Sequence, residues 1–168
     1  DRNDGTLESP LATINAALAK ATRAGDIVTV RAGQYNERVV ISHGGAPGAN
    51  LVLRAYTAPN GVREMPKIVS STHGILFQHS LGAFNLVEWV TVDGFEITGA
   101  PYDGIKLYSA QNIIIKNNYI HNNGCNGILG RGSKVLVEQN VIADNGVIVA
   151  STDLNKFHGM YITGSDFT

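Results

Sequence analysis

The sequence predicts an all-β fold, a right-handed parallel β-helix (β-solenoid) with an N-terminal capping α-helix. Three observations carry this prediction. Residues 92–99, 115–122 and 137–144 align without gaps, at offsets of 23 and 22 residues. They place Val92, Ile115 and Val137 in one column and Ile97, Ile120 and Ile142 in another. A second register, glycine followed by an aliphatic residue, repeats at Gly104-Ile105, Gly127-Ile128 and Gly159-Met160. Composition agrees: 19 glycines and 16% charged residues belong to a turn-rich β protein. A period near 22 with β-type alternation and no helix inside the unit means stacked coils that bury aliphatic ladders.

Residues 9–22 are predicted as a helical lid. Ser9 is placed at the N-cap and Pro10 at the first helical position. Leu11, Ile14, Leu18 and Ala21 form one apolar stripe. From residue 26 onward the period becomes two. Strands are expected at residues 26–30, 37–41, 51–56, 68–69 and 74–77, with a glycine-rich loop at 42–50 and a longer surface loop at 57–66. The step from Gly127 to Gly159 is ten residues longer than a coil, which places an insertion at residues 147–157. Asn117 and Asn118 fall over Gln139 and Asn140, and Asn123 over Asn145, so amides are expected to stack along the axis.

Length and charge exclude several function classes. A chain of 168 residues with 43% hydrophobic residues supports one sizeable core. The net charge of −1 gives no bulk attraction to nucleic acid. No apolar run reaches the length of a membrane span. Cys125 is alone, so it has no internal disulfide partner, and it is taken as a small buried or turn residue. No spacing of Cys and His matches zinc.

The stretches at residues 9–17, 24–28 and 31–39, with Val90-Thr91-Val92-Asp93-Gly94-Phe95 and Ile115-Lys116-Asn117-Asn118-Tyr119-Ile120, resemble pectate-lyase-like β-helix proteins. The resemblance implies a secreted, cell-surface or periplasmic carbohydrate-active protein, a polysaccharide lyase first among the possibilities. Its partner would be an acidic polysaccharide, and calcium assists some members. Such proteins carry more coils and a C-terminal cap. The single domain of residues 1–168 is therefore expected to be the N-terminal part of a longer solenoid.

Alternation along the strands assigns side chains to faces. With Ile105, Leu107, Ile128, Met160 and Ile162 inward, Lys106, Leu129 and Tyr161 form one outward column, and Tyr108, Arg131 and Thr163 the next. Asp103, Asn126 and His158 stand at the strand entrance. This collection suits uronate chemistry. Removing the proton beside a sugar carboxylate needs a base and positive charge for the enolate-like intermediate. Lys106 or His158 supplies the base, Arg131 clamps the carboxylate, and Tyr161 donates a proton to the leaving oxygen. Tyr108, Asp103, Asn126 and Lys156 are assigned to substrate binding, the last on the overhanging insertion. Asp153 and Asp144 are the candidate calcium ligands. The column Asp93, Lys116, Glu138 is expected to form stacked ion pairs, and His121 to be structural.

Other readings of the same residues stay open: solvated side chains on a non-catalytic, sugar-binding or adhesin-like solenoid, an epimerase, or a glycoside hydrolase. The last needs two carboxylates about 5 to 9.5 Å apart, and Asp103 with Asp153 is the pair nominated.

Overall fold

The computed structural model describes residues 3–82, 85–146 and 157–167. One helix, α1 (Ile14–Lys20), precedes thirteen strands. These are β1 (Ile27–Val30), β2 (Gln34–Asn36), β3 (Val39–Ile41), β4 (Leu51–Ala55), β5 (Lys67–Val69), β6 (Ile75–Phe77), β7 (Val87–Asp93), β8 (Glu96–Thr98), β9 (Ile105–Lys116), β10 (Tyr119–His121), β11 (Ile128–Glu138), β12 (Val141–Ala143) and β13 (Met160–Phe167). Every pairing between named strands is parallel.

The predicted stack is present in register. Ile68, Ile97, Ile120 and Ile142 lie one over the next, as do Leu53, Val92, Ile115 and Val137. Ile128 pairs with Met160 across the 32-residue step. Residues 147–156 of the expected insertion lie outside the described residues. The ladders Ile68-Ile97-Ile120 and Leu53-Val92-Ile115 are fully buried. Area removed from water at about 25 cal/mol per Å² is the main term holding such coils together.

Three outer faces meet at corners, and each corner is turned by a stack of left-handed residues. Trp89, Asn112, Lys134 and Asp166 have φ of 51° to 58° and occupy equivalent positions at the first corner. At the second stand Gly94, Asn117 and Gln139; at the third, Gly99, Asn122 and Asp144. Asparagine and aspartate tolerate this conformation best among non-glycine residues, which explains the asparagine-rich repeat. The first corner lies within β7, β9, β11 and β13, so these strands bend and serve two faces.

The buried amides form the expected ladder, whereas Asn117, over Gln139, donates instead to Asp93 Oδ1 at 2.7 Å. Asn118 donates from Nδ2 to Asn140 Oδ1 at 2.9 Å, and its own Oδ1 accepts from the Gly94 and Phe95 N–H groups. Asn123 donates in the same way to Asn145 Oδ1 at 2.9 Å. These bonds satisfy corner backbone groups such as the Phe95 N–H and, with the Lys116 carbonyl, share the Gly94 N–H.

Two predicted elements differ. The lid helix begins at residue 14 rather than 9, because Thr13 is its N-cap, accepting from the Ala16 N–H at 3.1 Å. Ser9 instead donates its N–H to Thr6 Oγ1, in a loop tied by the Gly5 N–H to its carbonyl. Glu37, expected in a strand, caps the helix from outside: its carboxylate accepts the Ile14 and Asn15 N–H groups at 2.7 and 3.1 Å. That removes it from β3 and leaves β2 as a separate short strand.

Candidate active site

The outward column on one face is Val40, Leu76, Lys106, Leu129 and Tyr161, each paired with the next across adjacent coils. The pairing of Lys106, Leu129 and Tyr161 predicted from alternation is therefore present. The inward partners Ile105, Leu107 and Ile128 are buried, whereas Met160, in the last described coil, is 49% exposed. Lys106 Nζ lies 5.6 Å from the centroid of the Tyr108 ring. At this distance a cation–π contact orients the ammonium over the face. The rings of His158 and Tyr161 stack at 5.4 Å. Tyr108 and Tyr161 are 41% and 50% exposed, so both offer ring surface to a ligand.

The second predicted column is shifted. Arg131 pairs with Thr163, but the β9–β11 register slips between Gly130 and Gly132. Tyr108 and Ser109 of β9 together oppose the single residue Arg131, a β-bulge that re-aims the side chains beside the Lys106 column. Gly130 and Gly132 flank it. A Cβ on Gly130 would lie 2.3 Å from the Leu107 carbonyl oxygen, so the close approach of β9 to β11 needs glycine there.

Asp103 and Asn126, assigned to substrate, are buried and engaged instead in a second polar ladder. Asn126 donates from Nδ2 to Asp103 Oδ1 at 2.8 Å and from its backbone N–H at 3.2 Å. Asn126 Oδ1 accepts the His158 N–H at 2.8 Å, and His73 Nδ1 lies 3.3 Å from Asp103 Oδ2. Burial opposes ionisation of Asp103, but hydrogen bonds from His73 and Asn126, with the charge of Lys106, outweigh it and hold the carboxyl below its ordinary range. The ladder fixes the entrance to each strand of the Lys106 face. His73 was missed at the sequence level, although His73-Gly74-Ile75 repeats the pattern of Asp103-Gly104-Ile105.

The other assignments sort as follows. Lys156 and Asp153 lie outside the described residues, and with Asp153 goes the pair nominated for hydrolysis. Asp144 turns the third corner after β12, with φ of 50°, away from the Lys106 column. Among the described residues no three His, Cys, Asp or Glu side chains come together as a metal site. Of the two nominated calcium ligands only Asp144 is among the described residues. Asp93, Lys116 and Glu138 are in register as expected, but Asp93 pairs with Arg63 at 2.6 Å rather than with Lys116. Burial pushes the half-buried Cys125 thiol up, away from the thiolate a nucleophile needs. His121 stacks on Tyr119 at 3.9 Å and bonds Glu96 at 3.2 Å, a structural cluster on a different face.

A stack of parallel coils behind an N-terminal helix defines the class as a right-handed parallel β-helix. Residues 1–159 match the family model described as the Pel9A-like, right handed beta helix region, so the chain belongs to that family. A search of solved structures found the crystal structure of pectate lyase Pel9A, at TM-score 0.60 and 16% identity, covering 99% of this chain and 47% of that one. The uncharacterized protein YwoF of Bacillus subtilis (strain 168) is 27% identical over 128 residues, covering 71% of this chain and 26% of YwoF. The chain thus spans about a quarter of the curated relative it matches. No helix among the described residues is long and apolar enough to cross a membrane.

Proposed function

We propose that the Lys106 face is the catalytic surface of a polysaccharide lyase that cleaves an acidic, uronate-containing polysaccharide (pectate, alginate or a glycosaminoglycan) by β-elimination. The observation that carries the reading is the column Lys106–Leu129–Tyr161, with Arg131, Tyr108 and His158 beside it on neighbouring coils. Lys106 takes the proton next to the sugar carboxylate. The electron pair of that C–H bond becomes the new double bond as the bond to the leaving oxygen breaks. Arg131 holds the carboxylate and stabilises the negative charge that develops on it. Tyr161, stacked on His158, gives its phenolic proton to the leaving oxygen. Tyr108 provides a ring face for an adjoining sugar. A polymer of this kind is met outside the cell, so the reading includes a secreted, surface or periplasmic location.

The test is incubation of the full-length protein with pectate, alginate and glycosaminoglycans, with and without calcium, following the absorbance of unsaturated uronate ends. Absorbance should rise on one substrate and be lost in Lys106→Ala. No signal on any of them from a folded protein refutes the reading and favours a binding-only solenoid.

A further inference from the structure

A cleft of about 720 Å³ opens at the N-terminal end of the solenoid, between the loop before α1 and the outer face of β1 and β4. Its volume lies within the range of small-molecule sites, about 300–1,000 Å³. It belongs to the face that carries Thr29 and Arg54, around a corner from Lys106. Both walls are fixed. On one side Lys20 Nζ donates to the Asn3 and Asp4 carbonyls at 3.2 Å each, tying the loop to α1. On the other, Glu64 accepts from Arg31 Nε and Nη2 at 2.9 to 3.1 Å and also takes the Ala32 N–H. Arg31 then lies over the Tyr56 ring, 4.5 Å from its centroid.

Within this frame one charge is uncommitted. Glu64 neutralises Arg31, but exposed Arg54 has only the Thr29 hydroxyl, at 3.3 Å, and no carboxylate partner within 4.0 Å among the described residues. The rest of the lining is amphipathic: Tyr56 beside the hydroxyls of Thr6, Thr29 and Thr57, with Leu7 and Leu11 opposite. A single guanidinium, a tyrosine ring and several hydroxyls match a carboxylate on a sugar ring. Phosphate would want more converging donors, and the first N–H groups of α1 are already taken by Glu37.

We propose that this cleft is a second, non-catalytic subsite for a carboxylate-bearing oligosaccharide, with Arg54 as its clamp. The site goes beyond β-elimination at Lys106, and each reading can fail alone. The experiment is calorimetric titration of the full chain carrying Lys106→Ala and Arg131→Ala, which silences the other face, with trigalacturonate and with neutral trigalactose. Trigalacturonate should bind, and Arg54→Ala in that background should weaken it roughly tenfold or more, the loss expected for one charge-assisted hydrogen bond. Neutral trigalactose should bind at least about tenfold more weakly than the acid. Arg54→Lys should restore part of the affinity, and an unchanged melting temperature should show that each variant is folded. The proposal is overturned by no binding to the double variant, by affinity that survives Arg54→Ala, or by equal affinity for the neutral trisaccharide.

Discussion

Replacing Asn118 by alanine removes a buried side chain that makes four hydrogen bonds at the second corner. Asn118 is 2% exposed. Its Oδ1 accepts the Gly94 and Phe95 N–H groups at 3.1 and 2.9 Å, and its Nδ2 donates to the Val92 carbonyl at 3.3 Å and to Asn140 Oδ1 at 2.9 Å. Alanine leaves the buried Phe95 N–H without its acceptor, whereas the Gly94 N–H keeps the Lys116 carbonyl at 3.2 Å. The orphaned donor costs about 1–3 kcal/mol and the other lost bonds about 0.5–1.5 kcal/mol each, so the loss should be about 2–4 kcal/mol in total, allowing for relaxation. That is a large part of the 5–15 kcal/mol typical of a domain. The assay is urea unfolding followed by far-ultraviolet circular dichroism, with the slope compared to detect loss of cooperativity. Asn140→Ala serves as a graded control, because Asn140 is only half-buried and its loss should cost less. A loss below about 1 kcal/mol for Asn118→Ala would refute the claim that the amide ladder holds the second corner.

Three further outcomes are expected. Lys106→Ala should lower kcat by about 10²- to 10⁴-fold with little change in KM, measured as uronate double-bond formation, whereas Arg131→Ala should also raise KM through loss of the carboxylate clamp. Gly127→Ala should cost about 1–3 kcal/mol in thermal or urea unfolding, since its Cβ would lie 2.4 Å from the Gly159 carbonyl oxygen and 2.5 Å from Ile142 Cγ2. Stability should fall as acid protonates Asp103: its folded carboxyl is held below the unfolded value of about 3.9, so its contribution is complete above that value and lost as pH drops through the folded one. Asp103→Asn should flatten the acid limb of the urea midpoint against pH, and an unchanged limb would contradict the role given to Asp103.

The stack was legible because a strand's period of two and a coil's fixed length repeat the same aliphatic residues. Val92, Ile115 and Val137 needed no structure to be aligned. The lid boundary was not legible. Ser9-Pro10 carries a valid start signal, and the competing cap from Thr13 wins only because Glu37, distant in sequence, takes the first N–H groups. Lys106 and Tyr161 were placed correctly by alternation, while Arg131 was misaligned with Tyr108 because a bulge is invisible to a period-two count. Asp103 and Asn126 were located correctly but given the wrong task. A polar residue before glycine looks the same whether it faces a ligand or bonds the next coil, and only burial separates the two. The cleft at Arg54 depends on how a loop crosses a sheet face, which no periodicity encodes.

The most direct measurement is a crystal structure of the Lys106→Ala variant with an acidic oligosaccharide bound. A uronate carboxylate should sit on the Arg131 guanidinium, with its ring over the Leu129 position and its neighbour against Tyr108. A sugar chain that leaves the Lys106–Leu129–Tyr161 column bare would contradict the account.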